Sequence, residues 1–145
     1  IIEDLIYESV KTKAKIVTED EKELGIRAIL NFGHTYGHAI EMYGNFEDFS
    51  HGEAVALGML MAINLSIDVS ELEIETAKRI KGLINRVLSK DLLSLKFDSE
   101  LLHEMMSADK KKTGDALNFI TIKDIGQADI KKDPDLNTIL KSIEL

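Results

Sequence analysis

Two histidines lie four residues apart in the segment Asn31–His38, which reads NFGHTYGH. Imidazoles at positions i and i+4 of a helix share one face, so His34 and His38 form a candidate pair of metal ligands. His51 opens the next predicted helix, and spacing alone does not exclude it as the partner of either one. Because the chain has no cysteine, a metal would be held by histidines and carboxylates, a donor set typical of Zn²⁺.

A polar stripe accompanies this histidine pair. If one helix runs from Gly25 to Tyr43, its 100° advance per residue gathers five polar side chains into a stripe about 80° wide. The stripe contains Arg27, Asn31, His34, His38 and Glu41. A stripe of this composition favours a binding site, and the alternative is an ordinary amphipathic helix whose polar face meets water.

Gly33 and Gly37 lie on one flank of the stripe. A glycine inside a helix costs about 1 kcal/mol relative to alanine. We therefore expect both glycines to admit a close neighbour, either another backbone or a ligand.

Other candidate residues are weaker. His103 has no other histidine near it in the sequence and is expected on a helix surface. Two lysine clusters are solvated charge runs by default, although one lysine of each could bind an anionic ligand. They comprise Lys11, Lys13 and Lys15, and Lys110, Lys111 and Lys112.

The elements that must position these residues are predicted to be mainly helical. A first helix ends near Val17, and Ser50 caps a third helix with Glu53 completing a capping box. That third helix is apolar on nearly every side, which predicts the centre of the core. Further elements follow: helices at 71–88 and 99–106, a hairpin turning at Gly126, and a last helix capped by Asp133 and ending near Ile143. The fold class expected is mainly α, a multi-helix domain with one small β-hairpin near the C-terminus.

Length and charge limit the possible functions. The 145 residues predict a single domain over 1–145, and the net charge of −8 with no long basic run argues against nucleic-acid and acidic-membrane partners. The charge-free run Ala54–Ile67 is too short to span a bilayer, and no signal peptide is visible, so a soluble protein is expected. The absence of cysteine fits a cytoplasmic protein. Because the chain begins without Met and already in helical periodicity, we also expect a piece of a longer protein.

Several long strings in the chain are distinctive. EKELGIRAILNFGHTYGHAIE and HGEAVALGM, followed by DKK before a predicted strand and IG in its turn, resemble the C-terminal half of the 3-dehydroquinate synthase family. The similarity runs from about Lys13 to Ile130. It implies a helical domain that works beside an N-terminal Rossmann-like domain binding NAD⁺.

The resemblance also implies an activity. The family converts 3-deoxy-D-arabino-heptulosonate 7-phosphate, a phosphorylated sugar acid, into 3-dehydroquinate and phosphate on the shikimate pathway, which supplies aromatic amino acids. The reaction oxidises one hydroxyl transiently, eliminates phosphate, re-reduces the oxidised carbon, opens the ring, and closes a new ring by an intramolecular aldol step, so NAD⁺ is regenerated. Zn²⁺ or Co²⁺ assists, and full-length relatives are typically homodimers.

By motif position, the resemblance assigns His34 and His51 as metal ligands. It moves His38 to a catalytic role beside the substrate phosphate, where it would assist proton transfer, and thereby departs from the choice that spacing favours. The third metal ligand and the NAD⁺ site belong to a region outside this chain, and no Gly-rich dinucleotide fingerprint is found here. The chain alone is therefore expected to bind metal weakly and to be inactive.

The same motif positions imply contacts to substrate. Arg27 and Lys13 would bind the substrate carboxylate, while Asn31 and Lys110 would contact the phosphate end or ring hydroxyls and take part in catalysis. Glu23 corresponds to an acidic residue beside the site.

Three alternatives stay open at this point. A sister sugar-phosphate cyclase, such as 2-deoxy-scyllo-inosose synthase, would share the metal and NAD⁺ chemistry but close another ring. A metal-dependent alcohol or glycerol dehydrogenase fits the NFGHTYGH string poorly. A non-catalytic helical module would use the polar stripe to bind a partner or only to meet water.

Overall fold

A computed structural model of the chain describes residues 1–22, 25–113 and 116–145, without the side chains of 109–113. The chain forms two compact units, Ile1–Asn31 and Phe32–Leu145. The first unit contains helix α1 (Ile2–Glu19) and a 3-10 helix (Ile26–Asn31). The second unit contains the histidine-bearing helices and the hairpin.

The predicted helix from Gly25 to Tyr43 is wrong. The chain forms the 3-10 helix and then a separate α-helix, α2 (His34–Tyr43). Gly33 is the N-cap of α2 with φ of 81°, a left-handed conformation that side-chain-bearing residues rarely adopt. Gly33 therefore interrupts the helix, and the five-residue stripe is wrong for Arg27 and Asn31.

The other elements of the second unit confirm a mainly α fold with one hairpin. They are α3 (His51–Ser70), α4 (Ile74–Ile84), α5 (Lys90–Leu93), α6 (Ser99–Thr113), β1 (Asn118–Asp124), β2 (Gln127–Lys132) and α7 (Leu136–Ser142). The helix predicted over 71–88 is shorter than expected, and the helix beginning at Ser99 is longer. The last helix is capped by Asp135, whose carboxylate accepts a hydrogen bond from Thr138 N at 3.1 Å, and not by Asp133.

Helix α3 is the centre of the core, as predicted. Its N-terminus has the capping box: Ser50 N donates to Glu53 Oε2 at 2.9 Å, and Glu53 N donates to Ser50 Oγ at 3.4 Å. The 20 residues of α3 are long and apolar enough to cross a membrane, whereas the charge-free run Ala54–Ile67 alone is too short. However, 56% of the apolar window of α3 is buried inside the fold. Its packing against α2, α4, α7 and β1 is the packing of a core helix.

The hairpin is joined to the helices by hydrogen bonds. Strands β1 and β2 pair antiparallel, and Gly126 in their turn has φ of 81°. Ile122 N donates to Ser66 Oγ of α3 at 3.0 Å, and Thr35 Oγ1 of α2 donates to Asn118 O at 2.7 Å. The buried ring of Phe119 lies 5.1 Å from that of Tyr36. Helices α2 and α3, which carry His34, His38 and His51, are thus both connected to strand β1.

Candidate metal centre

Three imidazoles meet where α2 packs antiparallel against α3, with Glu41 of α2 beside His51 at the N-terminal end of α3. The ring centroids of His34 and His38 are 5.6 Å apart, and those of His34 and His51 are 5.5 Å apart. His38 and His51 are 6.3 Å apart. The three histidines that the sequence singled out therefore come together, although His51 lies on a different helix from the other two.

A close approach between the backbones of α2 and α3 permits this arrangement. A Cβ on Gly58 would lie 2.2 Å from Gly33 O and 2.7 Å from Gly37 N, and a Cβ on Gly37 would lie 3.1 Å from Val55 Cα. The expectation that Gly33 and Gly37 admit a close neighbour is confirmed, and the neighbour is the backbone of α3. Sequence reasoning missed Gly58, whose signal was a glycine in the middle of the most apolar helix.

Two of the imidazoles have a partner at Nδ1. His34 Nδ1 lies 3.4 Å from Phe32 O, and His51 Nδ1 lies 3.0 Å from Glu41 Oε1. A carbonyl oxygen and an ionised carboxylate can only accept, so both contacts require the Nδ1–H tautomer. In each ring the lone pair of Nε2 is then available to a metal.

The donor set fits a metal of the Zn²⁺ or Co²⁺ class, in an incomplete form. Two imidazoles bound through Nε2 to one tetrahedral ion place their ring centroids roughly 5 Å apart. Both pairs that contain His34 fit this spacing better than His38 with His51. Within the described residues no group of three or more His, Cys, Asp or Glu side chains is arranged to hold a metal, and a catalytic zinc needs three protein ligands.

The predicted substrate-binding residues fall in different parts of the chain. Lys13 lies exposed on α1, and Arg27 and Asn31 lie on the 3-10 helix, so all three belong to the first unit. Lys110 lies within α6, but its side chain is outside the described residues, as is all of Glu23. The predicted roles of these residues stay predictions.

Arg27 is anchored within the first unit. Its guanidinium donates to Glu21 O at 2.8 Å, and its backbone N donates to the Asp20 carboxylate at 3.0 Å. The same carboxylate oxygen accepts from Gly25 N at 2.8 Å. Asp20 therefore organises the backbone that leads into the 3-10 helix.

Comparison with known proteins identifies the family. The family model described as 3-dehydroquinate synthase C-terminal matches residues 1–112. The chain belongs to the 3-dehydroquinate synthase family. This confirms the resemblance carried by the NFGHTYGH and HGEAVALGM strings.

Curated members of the family are similar along almost the whole chain. A 3-dehydroquinate synthase of Campylobacter concisus is 42% identical over 141 residues, which cover 96% of this chain and 40% of that protein. One from Endomicrobium trichonymphae is 43% identical over 127 residues, which cover 87% of this chain and 35% of that protein. The chain thus spans about 40% or less of the length of these synthases.

Solved structures of two other synthases share the fold. A 2-deoxy-scyllo-inosose synthase, complexed with carbaglucose-6-phosphate, NAD⁺ and Co²⁺, aligns with a TM-score of 0.82 and 24% identity over 97% of this chain and 40% of its own. The 2-epi-5-epi-valiolone synthase of Streptomyces hygroscopicus, with NAD⁺ and Zn²⁺ bound, aligns with a TM-score of 0.76 and 19% identity over 97% of this chain and 38% of its own. At these identities the likeness establishes the fold.

Proposed function

We propose that the chain is the metal- and substrate-binding domain of a 3-dehydroquinate synthase, a phosphorus–oxygen lyase that requires NAD⁺ and a divalent metal. The observation that carries the proposal is 42% identity to a 3-dehydroquinate synthase over 96% of the chain. The cluster of three imidazoles supports it, because a synthase of this kind needs metal ligands and a proton carrier in one place. The substrate proposed is 3-deoxy-D-arabino-heptulosonate 7-phosphate.

In this proposal His34 and His51 hold the metal. Their ring separation of 5.5 Å and the engaged Nδ1 atoms support the pair. A divalent metal held by these two imidazoles would supply Lewis-acid polarisation of the hydroxyl that is oxidised. His38 is then the catalytic acid–base residue, exposed beside the pair and able to move a proton at the phosphate-bearing end of the substrate.

The substrate has two anionic ends, and cations orient it. Arg27 and Lys13 are proposed to bind its carboxylate, because a guanidinium and an ammonium both form charge-assisted hydrogen bonds with carboxylate oxygens. Asn31 and Lys110 are proposed to contact the phosphate end and ring hydroxyls during catalysis. Glu23 is proposed as an acidic residue at the edge of the site.

The remaining parts of the enzyme are proposed to come from an N-terminal NAD⁺-binding domain, which also supplies the third metal ligand. Helix α1 supports a further protein contact, because it exposes large apolar side chains. These are Ile2, Leu5, Ile6, Tyr7 and Val10. The chain alone is then inactive, and the whole enzyme is proposed to be a cytoplasmic homodimer that binds neither membrane nor nucleic acid.

A sister sugar-phosphate cyclase is the second candidate. The TM-score of 0.82 with a 2-deoxy-scyllo-inosose synthase supports it, because the same fold serves that synthase. The first candidate remains stronger, since identity to the 3-dehydroquinate synthase of Campylobacter concisus is 42% against 24% for the inosose synthase.

The test is turnover by the complete product of the gene that encodes this chain. The heptulosonate phosphate is supplied with NAD⁺ and Zn²⁺, and phosphate, 3-dehydroquinate and NADH are followed together. We expect phosphate and 3-dehydroquinate in equal amounts with no net NADH. His51→Ala should lower kcat by a hundredfold or more, whereas the matched control His103→Ala, a histidine beside Ser107 on α6, should retain activity.

Each contrary outcome has a definite meaning. Turnover of glucose 6-phosphate in place of the heptulosonate would favour the sister cyclase. Net NADH would favour a dehydrogenase. A well-folded, metal-loaded protein that turns over neither substrate would refute both cyclase assignments.

A further inference from the structure

Glu41 makes a contact between the two helices that the proposed mechanism does not use. It lies near the end of α2, and its Oε1 is 3.0 Å from Nδ1 of His51, the first residue of α3. The Glu41 side chain is 17% exposed, whereas the His51 side chain is 60% exposed. The carboxylate is thus the better-fixed partner, and the imidazole is the more accessible one.

The chemistry of this contact determines which nitrogen of His51 can bind a metal. An ionised carboxylate accepts hydrogen bonds and donates none, so Nδ1 carries the proton. Nε2 then has a free lone pair on the side of the ring that points away from Glu41. The negative charge of the carboxylate also makes that lone pair a better donor to a cation.

We propose that Glu41 is a positioning residue that holds His51 in the tautomer and orientation needed to bind the divalent metal through Nε2. This inference rests on the proposed function, in which His51 is a metal ligand. Glu41 acts through His51 and is not itself the ligand, because its oxygen occupies the Nδ1 side of the ring.

An ordinary surface ion pair is the competing explanation. Such pairs stabilise a fold little, and losing one has no reason to change affinity for a metal. The Glu75–Lys78 pair on α4, at 2.7 Å, is an example within the same chain. The two explanations therefore predict different metal affinities for a variant that lacks the Glu41 carboxylate.

The experiment measures Zn²⁺ affinity of the complete gene product by competition with a chromogenic chelator. We expect Glu41→Ala to weaken Zn²⁺ binding by about 10- to 100-fold, the usual effect of removing a carboxylate behind a histidine ligand. Glu41→Gln should recover part of that loss, because its amide oxygen still accepts from Nδ1 but lacks the charge. Glu75→Ala is the matched control and should bind Zn²⁺ as the wild type does.

Two further readouts separate positioning from a loss of structure. The visible absorption of the Co²⁺-substituted protein should change in Glu41→Ala and remain close to wild type in Glu41→Gln. In the metal-free protein, the ¹⁵N shifts of His51 should report the Nδ1–H tautomer in the wild type and a mixture in Glu41→Ala. The thermal midpoint of the metal-free protein should stay the same.

The outcomes also separate this inference from the proposed function. If His51→Ala weakens Zn²⁺ binding but Glu41→Ala binds as tightly as Glu75→Ala, the role of Glu41 is refuted and the metal site stands. If His51→Ala binds Zn²⁺ as the wild type does, the assignment of His51 as a ligand fails, and the role of Glu41 fails with it.

Discussion

The close approach of α2 and α3 makes Gly58 sensitive to substitution. An alanine there would place its Cβ 2.2 Å from Gly33 O and 2.7 Å from Gly37 N. Both atoms belong to backbone and cannot rotate away, so the helices would have to separate by roughly 1 Å, enough to lose much of the dispersion energy between them. Overpacking of this kind lowers the free energy of unfolding by about 1–3 kcal/mol, and the better helix propensity of alanine offsets up to about 1 kcal/mol of that loss.

We therefore expect Gly58→Ala to lower the free energy of unfolding by about 1–2 kcal/mol and the thermal midpoint by roughly 3–8 °C. The assay is urea unfolding of the 145-residue chain, followed by far-ultraviolet circular dichroism. Gly82→Ala is the control, because no atom lies within 4 Å of a Cβ at that helical position. It should raise stability by about 0.5–1 kcal/mol. A Gly58→Ala variant stabilised to the same extent would refute the backbone contact between α2 and α3.

Two other predictions concern buried hydroxyls. Burial raises the pKa of Tyr36 well above its ordinary value of 10.0. As the pH rises, the unfolded chain therefore loses the phenol proton before the folded chain does. The stability due to the buried phenol is complete below about pH 10 and falls as the pH rises above it. Tyr36→Phe should be about 1 kcal/mol less stable at pH 7, because it loses the 2.6 Å hydrogen bond to Ser142. In urea unfolding, its free energy of unfolding should decline less steeply between pH 9 and roughly pH 11 than that of the wild type. Parallel curves of stability against pH would refute this account. Ser66→Ala should lower the free energy of unfolding by about 1–3 kcal/mol, because it leaves the amide of Ile122 without its acceptor. Native-state hydrogen exchange at the Ile122 amide should accelerate. An unchanged exchange rate would show that this hydrogen bond does not hold the strand.

Local chemistry predicted the elements whose signals lie within a few residues. The capping box of Ser50 and Glu53 and the turn at Gly126 depend on neighbours in sequence, and both were found as predicted. The break at Gly33 could not be predicted in this way. Gly33 and Gly37 look alike in the sequence, and only the conformation of Gly33, with φ of 81°, shows that one ends a helix while the other continues it.

The site was predictable in its residues but not in its arrangement. His34 and His38 share a helical face, so periodicity could pair them. His51 joins them through the contact between α2 and α3, which helical periodicity along one chain segment cannot reveal. Glu41 was predicted to lie on the same face as His38, yet its partner on α3 became visible only in the structure.

The hydrogen bond from Ile122 N to Ser66 Oγ has a consequence for solubility. A two-stranded sheet has two open edges, and unpaired backbone groups on such an edge can recruit strands from other molecules. On β1, Ser66 Oγ accepts the hydrogen bond of one such group, the Ile122 amide. Next to it, the buried hydroxyls of Ser70 and Thr121 are hydrogen-bonded to each other at 2.8 Å. On β2, Lys131 and Asp129 place charges that oppose strand addition. We therefore expect the contact of β1 with α3 and the charges on β2 to disfavour pairing of this hairpin with strands of other molecules.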